Sequence, residues 1–290
     1  MKKIEILVII IILIFQTFCF ADIVYLNSGK KIEGEIIEQT QDYVKINMMG
    51  MGFYVTYQTE DIKEIKKTEN KAYIPNSSNN DLSQPMQNLV EQIEAQTIDQ
   101  ESYLLYIPSN IHKEKKYPLV IALHPGGHAP AMIETWKNIA EEHKWIVFAS
   151  KTFRNGASNW NEPIYEALEE VFMKYPINKR KIISTGISGG GMGAHMLSYS
   201  SLNLVSAVIA NVGRIHPNYK KAPAKNDYPR KKIAVFLASP TDFNYEHMKD
   251  DRNFLRDLGW DVKWIEFEGG HVTAPEHAYQ EAAAWLDRYL

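Results

Sequence analysis

A serine in a glycine-rich turn is the residue of this chain best suited to nucleophilic chemistry. The apolar run at residues 182–185 predicts a buried strand, residues 186–190 read Gly-Ile-Ser-Gly-Gly, and residues 190–199 predict a helix. This is the pattern G-x-S-x-G between a strand and a helix, in which the turn exposes the serine hydroxyl and the glycines let both elements approach. Ser188 is therefore predicted to be a nucleophile. The alternative is a glycine-rich turn with a purely structural role.

A nucleophilic serine needs a general base and a group that orients this base. The predicted strand 233–238 is followed by Asp242, and the predicted strand 262–267 is followed by a Gly-Gly pair and His271. Because parallel strands end at one edge of a sheet, we expect His271 and Asp242 to lie beside Ser188, as base and as orienting acid. For His271 the alternative is again a structural role.

Three other aspartates compete with Asp242 for the role of the acid. Asp250 and Asp251 fall in the predicted helix 246–258, whose axis is expected to carry them away from the active edge. Asp227 lies in a loop rich in lysine and arginine before the strand begins, and such a loop is more typical of a solvated face than of an anion site. Asp242 is therefore the predicted acid.

Backbone amides that could stabilise an oxyanion come from two glycine-rich turns. One donor is expected to be the N–H of Gly189, directly after the nucleophile. The second is expected in the loop 124–128, where Gly126 is the first choice and Gly127 the second. Pro125 of the same loop has no N–H and is excluded.

Four further side chains could take part in chemistry or only in packing. His124 and His128 have no carboxylate partner nearby in the sequence, so we interpret them as loop-shaping residues and predict no metal site. Trp160 follows a strand at the same edge and is predicted to form a wall of the substrate site, with a cap on the core as the alternative. His195, in the helix after the nucleophile, is interpreted as a packing residue.

The elements that must position these residues alternate between strand and helix. Near-continuous apolar runs predict buried strands, and they are separated by segments with helical periodicity. This alternation predicts an α/β fold with a mostly parallel, doubly wound sheet covered by helices on both faces. The predicted strands are residues 103–107, 119–123, 146–149, 182–185, 205–210, 233–238 and 262–267, and the predicted helices are residues 163–174, 190–199, 246–258 and 275–290.

Residues 100–290 resemble the α/β-hydrolase superfamily, and within it the compact secreted esterases similar to polyhydroxybutyrate depolymerases and feruloyl esterases. The matching stretches are residues 123–127, residues 186–191, Asp242 and residues 270–271. Two positions depart from the family's pattern, because Pro125 replaces a usual glycine and Ala238 with Ser239 replaces a frequent His-Gly before the acid. The resemblance implies a Ser-His-Asp triad, an acyl-enzyme intermediate and no metal or organic cofactor.

A small all-β module is predicted before this domain. Residues 22–68 contain five short runs rich in Ile, Val and Tyr, at residues 23–26, 31–38, 43–48, 53–57 and 62–65, with turn signals between them. The segment resembles SH3-like or Sm-like modules and predicts a barrel-like domain without chemistry, suited to docking at the cell envelope or to spacing. Residues 69–97 are predicted to be a linker, with a short helix at residues 86–98, and residues 98–290 the α/β-hydrolase domain.

The N-terminal segment predicts export. Residues 1–21 combine a basic start, an aliphatic run at residues 6–15 and small residues before Asp22, which is typical of a signal peptide. An uncleaved anchor and a lipoprotein modified at Cys19 are the alternatives. We therefore expect an extracytoplasmic protein, either secreted or periplasmic.

Composition narrows the class of function further. The formal net charge of the 290-residue chain is −3, with no long block of one sign, so no nucleic-acid partner is predicted. Cys19 is the single cysteine, which excludes an internal disulfide framework and a cysteine-based metal site. The sequence thus predicts an exported carboxylesterase acting on a small or polymeric ester. The alternatives are a serine peptidase or acyltransferase of the same fold, and a non-catalytic binding protein on a hydrolase scaffold.

Overall fold

The computed structural model describes residues 22–27, 29, 31–48, 54–67, 92–157, 160–200, 204–221 and 231–290. The predicted signal peptide and most of the predicted linker lie outside these residues. Among the residues that the structure describes, no helix combines the length and the apolar character needed to cross a membrane.

Strands and helices alternate through most of the described chain. The strands are β1 (Asp22–Leu26), β2 (Lys31–Gln39), β3 (Tyr43–Met48), β4 (Tyr54–Gln58), β5 (Ile62–Lys66), β6 (Gln92–Ile93), β7 (Gln96–Asp99), β8 (Tyr103–Ile107), β9 (Ile111–His112), β10 (Tyr117–Leu123), β11 (Ile146–Ser150), β12 (Ile177–Ile187), β13 (Ala207–Asn211), β14 (Ile233–Ala238) and β15 (Asp261–Glu266). The helices are α1 (Ala129–His143), α2 (Asn161–Lys174), α3 (Gly189–Ser200), α4 (Tyr245–Asp257) and α5 (Glu276–Leu286).

The larger sheet has eight strands in the order β15-β14-β13-β12-β10-β11-β8-β7. From β15 to β11 every neighbouring pair is parallel, whereas at the other end β8 pairs antiparallel with both β11 and β7. The predicted fold class, a mostly parallel α/β sheet, is therefore confirmed. The carboxyl ends of β12, β13 and β14 lie side by side at one edge, which is where the predicted site residues follow.

Both faces of this sheet are covered by helices, which explains the near-continuous apolar runs of β10, β11, β13 and β14. Along β10, the side chains of Leu119 and Ile121 join one core cluster, and those of Val120 and Ala122 join the other. The first cluster contains buried residues of α2, α3 and α4, and the second contains those of α1 and α5. Successive side chains of a strand point to opposite faces, so each apolar run supplies both cores at once.

Helix α1 was not among the predicted helices. Its N-cap is His128, whose Nδ1 accepts a hydrogen bond from the N–H of Ala131 at 3.3 Å, and histidine is not one of the usual capping residues. The signal that could have revealed the helix is the spacing of Met132, Ile133 and Trp136, all buried, with a proline in the first turn.

The predicted boundary at residue 98 and the predicted helix over residues 86–98 are wrong within the described residues. β6 pairs with β9, and β7 pairs with β8, so the α/β unit already includes residues 92–97. β7 is a largely exposed edge strand whose sequence has little β-propensity of its own. Its conformation is set by pairing with the buried strand β8, a tertiary effect that local propensity does not carry.

The five strands predicted near the N-terminus are confirmed and form an antiparallel sheet in the order β4-β3-β2-β1-β5. Val24, Val44 and Ile46 are fully buried in it. Unexpectedly for a separate module, its Tyr57 is buried and lines a cavity together with Tyr165 of α2. The likeness to SH3-like modules stays a prediction.

Candidate active site

Ser188 lies in a sharp turn between β12 and α3, with a left-handed backbone φ of 54°. The N–H of Ser188 donates to the backbone oxygen of Asn211, at the end of the neighbouring strand β13, at 2.8 Å. A Cβ on Gly190 would lie 2.0 Å from the oxygen of Leu123, and one on Gly186 would lie 2.3 Å from the carbonyl carbon of Gly190. Glycine is therefore required at both positions for strand and helix to meet.

The structure brings Ser188, His271 and Asp242 together, although they follow three different strands. His271 Nε2 lies 2.7 Å from Ser188 Oγ, and His271 Nδ1 is hydrogen-bonded to Asp242 Oδ2. The side chain of Asp242 is fully buried, while that of His271 is 30% exposed. The arrangement runs from a buried carboxylate through an imidazole to an accessible hydroxyl, which is the geometry of an activated serine.

Asp242 is held by the turn that follows β14. Its N–H donates to Ser239 O at 3.0 Å, and its Oδ1 accepts the N–H of Asn244 at 2.6 Å. The side chain of Asn244 in turn donates to the backbone oxygen of Val212, after β13, at 2.9 Å. With Oδ1 occupied in this way, Oδ2 is the oxygen that faces His271.

Asn211 fixes the loop that carries His271, a role that sequence reasoning missed. Its fully buried Oδ1 accepts two hydrogen bonds of 3.0 Å, one from the N–H of Ala274 and one from the hydroxyl of Tyr279 in α5. The backbone oxygen of the same residue accepts the N–H of Ser188. One residue thus sets the position of nucleophile and base relative to each other. The available signal was a polar residue at the end of a buried apolar strand.

The two loop glycines predicted as oxyanion donors already have acceptors inside their own loop. The N–H of Gly126 donates to His124 Nδ1 at 3.1 Å, and that of Gly127, where φ is 71°, donates to His124 O at 3.0 Å. Burial, with a smaller contribution from His128, lowers the pKa of His124, so its imidazole is neutral and can accept. Neither amide is free to bind a substrate oxygen in this arrangement.

Gly189 is the first residue of α3, so its N–H has no acceptor within the helix. Its missing side chain leaves space that the carboxamide of Asn155 fills, because a Cβ on Gly189 would lie 1.9 Å from Asn155 Oδ1. The N–H of Asn155 donates to Pro125 O at 2.9 Å. The loop after β11 therefore reaches both the nucleophile turn and the loop 124–128.

Comparisons with known proteins bear on the fold. No protein-family model matches the sequence, and no curated protein matches it. Among solved structures, the fluorophosphonate-binding serine hydrolase F of Staphylococcus aureus is similar over 68% of this chain and 98% of its own, with a TM-score of 0.52 at 13% identity. A thermostable esterase is similar over 93% of this chain and 89% of its own, with a TM-score of 0.52 at 16% identity. A ferulic acid esterase of Anaeromyces mucronatus is similar over 67% of this chain and 91% of its own, with a TM-score of 0.50 at 16% identity.

The chain has the α/β-hydrolase fold. We refer to residues 92–290 as the α/β domain. At these identities the likeness concerns the fold, and the roles of the individual side chains rest on the geometry of the site itself.

Trp160 lies at the start of α2 in the α/β domain and packs inward. Its ring meets the buried ring of Phe153 edge-on, with the ring centroids 5.1 Å apart, and it is only partly exposed. Phe153 in turn lies against Gly193 of α3, one turn beyond the nucleophile. These contacts agree with a cap on the core, and the role of Trp160 in substrate binding stays a prediction.

Asp250 and Asp251, the two rival acids that the structure describes, make no hydrogen bond to His271. Asp251 is buried, where it accepts the N–H of Ile215 and forms an ion pair with Lys220, each at 2.6 Å. Burial raises the pKa of Asp251, and these two partners oppose the shift. Asp250 is exposed on α4, and Asp227 lies outside the described residues.

Two further expectations concern the role of His195 and the absence of a metal site. His195 is fully buried against Phe236, with the ring centroids 5.5 Å apart, and burial lowers its pKa to about 3. It is therefore a neutral packing residue below the site. Within the described part of the chain, no group of three or more His, Cys, Asp or Glu residues is placed to hold a metal ion.

Proposed function

We propose that the chain is a serine carboxylesterase in which Ser188 is the nucleophile, His271 the base and Asp242 the orienting acid. The observation that carries the proposal is the 2.7 Å contact between His271 Nε2 and Ser188 Oγ, with His271 Nδ1 bonded to the buried Asp242. The likeness to solved structures described as a serine hydrolase, an esterase and a ferulic acid esterase supports an ester as the substrate class.

We infer from the contacts of His271 which of its nitrogens carries the proton. Asp242 is a carboxylate and can only accept, so His271 Nδ1 holds the proton and donates it towards Oδ2. Nε2 is then unprotonated and accepts the hydroxyl proton of Ser188. Because the carboxylate is shielded from water, its interaction with the imidazolium that forms during the reaction is stronger than it would be in solvent.

The proposed reaction has two halves. In the first, Ser188 Oγ bonds to the ester carbonyl carbon while its proton passes to His271 Nε2, and the tetrahedral intermediate collapses as the same proton moves to the leaving alcohol. In the second, water attacks the acyl group, His271 takes a proton from that water and returns it to Ser188 Oγ, and the carboxylic acid leaves. At the end of the reaction Ser188 and His271 carry the same protons as at the start.

The alcohol part of the ester must lie beside the imidazole, because His271 protonates the leaving oxygen. Two exposed apolar side chains flank His271: Phe243, 72% exposed with its ring centroid 4.2 Å from that of the imidazole, and Val272, 45% exposed. Large apolar side chains at such exposure gain free energy when a ligand covers them. We propose that they contact the alcohol group of the substrate.

We expect Phe243→Ala to raise KM for aryl or long-chain alcohol esters about threefold to tenfold, the range of one aromatic contact. The methyl ester of the same acid is expected to change little, because its alcohol is too small to reach Phe243. Met173→Ala is the control, since Met173 is 80% exposed near the end of α2, away from the carboxyl edge. An equal loss on the methyl and aryl esters would contradict this assignment of Phe243.

Fluorophosphonate labelling combined with a substrate panel tests the proposed function directly. We expect one covalent label per chain, located on Ser188 by peptide mapping, and hydrolysis of esters in preference to matched amides. A binding protein on a hydrolase scaffold would take no label. A peptidase would be labelled but would cleave the amides, and an acyltransferase would pass the acyl group to an added alcohol faster than to water.

The proposal of export rests on the pattern of residues 1–21 in the sequence. An extracytoplasmic esterase would meet its substrate outside the cell, as a small or a polymeric ester. In that setting we propose that the N-terminal β-sheet is an SH3-like module that docks the enzyme at the cell envelope.

A further inference from the structure

The side chain of Asn155 lies against Gly189, the residue that directly follows Ser188. In a helix every Cα–Cβ bond points towards the N-terminus of the helix. Gly189 is the first residue of α3. The space that a Cβ on Gly189 would occupy therefore lies in the direction in which the first N–H groups of the helix point. The carboxamide of Asn155 fills it, with Oδ1, Cγ and Nδ2 lying 1.9, 2.5 and 2.6 Å from the position of a Cβ on Gly189.

The amides of the loop 124–128 that were expected to bind an oxyanion already donate to other acceptors, which favours a donor from a side chain. An oxyanion that forms beside Ser188 can be reached by the N–H of Gly189, but the amides of Gly126 and Gly127 donate to His124. The Gly127 amide is fixed by its turn, and Gly126 is further held by Arg154 Nη1, which donates to Gly126 O at 2.6 Å. One backbone donor alone leaves a developing negative charge only partly stabilised.

Asn155 is also held in a way that suits this role. Its backbone N–H donates to Pro125 O at 2.9 Å, which ties it to the loop 124–128. Its side chain is exposed and can present Nδ2 towards the reacting carbonyl by a rotation of the amide plane. An asparagine side chain is one of the groups that form oxyanion holes in acyl-transfer enzymes.

We propose that Asn155 Nδ2 is the second oxyanion donor and acts together with the N–H of Gly189. This inference rests on the proposed esterase function. It assigns to the side chain of Asn155 the role that the sequence predicts for the backbone of Gly126 or Gly127. It also gives a reason for glycine at position 189, since any larger residue would displace the carboxamide.

The first test compares Asn155→Ala with Asn155→Asp. We expect Asn155→Ala to lower kcat about 10²- to 10³-fold with little change in KM, because the contact forms only in the transition state. Asn155→Asp keeps the shape but places a negative charge at the N-terminus of α3, where the helix dipole favours it. This variant is therefore expected to be at least as stable as the native chain and yet slower than Asn155→Ala. A structural role predicts the reverse order of rates.

The second test is a double-mutant cycle with Gly189→Ala. The added methyl group forces the carboxamide of Asn155 away but keeps the N–H of residue 189. In the native background we expect Gly189→Ala to lower kcat nearly as much as Asn155→Ala does. In the Asn155→Ala background the clash is gone, so the same change is expected to cost far less, and the two effects do not add.

The outcomes separate this inference from the proposed function. Additive effects in the cycle, or a kcat of Asn155→Ala within about threefold of the native value, would overturn the role of Asn155 while Ser188-dependent hydrolysis still stands. If the native chain hydrolyses no ester and takes no fluorophosphonate label, the proposed function itself fails. The melting temperature of each variant shows whether a slow variant is folded.

Discussion

Replacing Ser188 with alanine is expected to lower the turnover of short-chain esters by about 10⁴- to 10⁶-fold, with the fold retained. The hydroxyl that contacts His271 Nε2 is the atom that would form the acyl-enzyme, and alanine removes only that atom. Alanine tolerates the left-handed backbone at this position no better than serine, so we expect the stability to stay the same. The rate that remains would come from substrate binding and the oxyanion donors acting on water.

The measurement is a rate assay combined with labelling on purified, folded protein. Ser206→Ala is the matched control, because Ser206 lies before β13, away from the carboxyl edge, and donates its hydroxyl to Arg180 O at 2.8 Å. We expect the control to take the fluorophosphonate label and the Ser188 variant to take none. A folded Ser188→Ala chain that keeps more than about a tenth of the native rate would show that another group is the nucleophile.

The second large effect is expected for Asp242→Asn, with a loss of about 10⁴-fold in kcat. The amide of asparagine can donate to His271 Nδ1, which favours the tautomer with its proton on Nε2. That tautomer cannot accept the proton of Ser188. Asn244 is expected to keep the new side chain in place by its N–H, so the loss would arise from the proton position rather than from a collapsed turn.

Two neighbouring aspartates provide the controls for Asp242. Asp250→Asn changes an exposed residue and is expected to leave both rate and stability near the native values. Asp251→Asn weakens the ion pair with Lys220 and is expected to lower the melting temperature with little effect on kcat below it. If Asp250→Asn or Asp251→Asn were the crippling change while Asp242→Asn remained active, the acid would have been assigned to the wrong residue.

The three residues at the centre of the site could be predicted because each one follows a strand in the parallel part of the sheet. Strand identity can be read from apolar runs, and the topology then brings the strand ends together. The approximate positions of β12, β14 and β15 were predicted in this way, and the geometry of Ser188, Asp242 and His271 follows from them.

The partners of the supporting asparagines could not be predicted in this way. Asn211 acts through the amide of Ala274, Asn244 through the backbone oxygen of Val212, and Asn155 through its contact with Gly189. These partners are far apart in the sequence, and no periodicity or motif links them. Their roles depend on where loops pass one another, which only the folded chain determines. The same reason explains why the docking of Tyr57 against α2 was not foreseen.

The backbone at the site has a consequence for engineering. Ser188 and Val212 have φ angles of 54° and 42°, a conformation that costs a non-glycine residue about 1–3 kcal/mol. The oxygen of Val212 accepts a hydrogen bond from the side chain of Asn244, whose N–H donates to Asp242, so Val212 supports the position of Asp242. Glycine at position 188 would relieve this energy but would remove the hydroxyl that contacts His271. Selection for thermal stability alone would therefore enrich inactive variants. Stabilising replacements should be sought at positions remote from the carboxyl edge of the sheet.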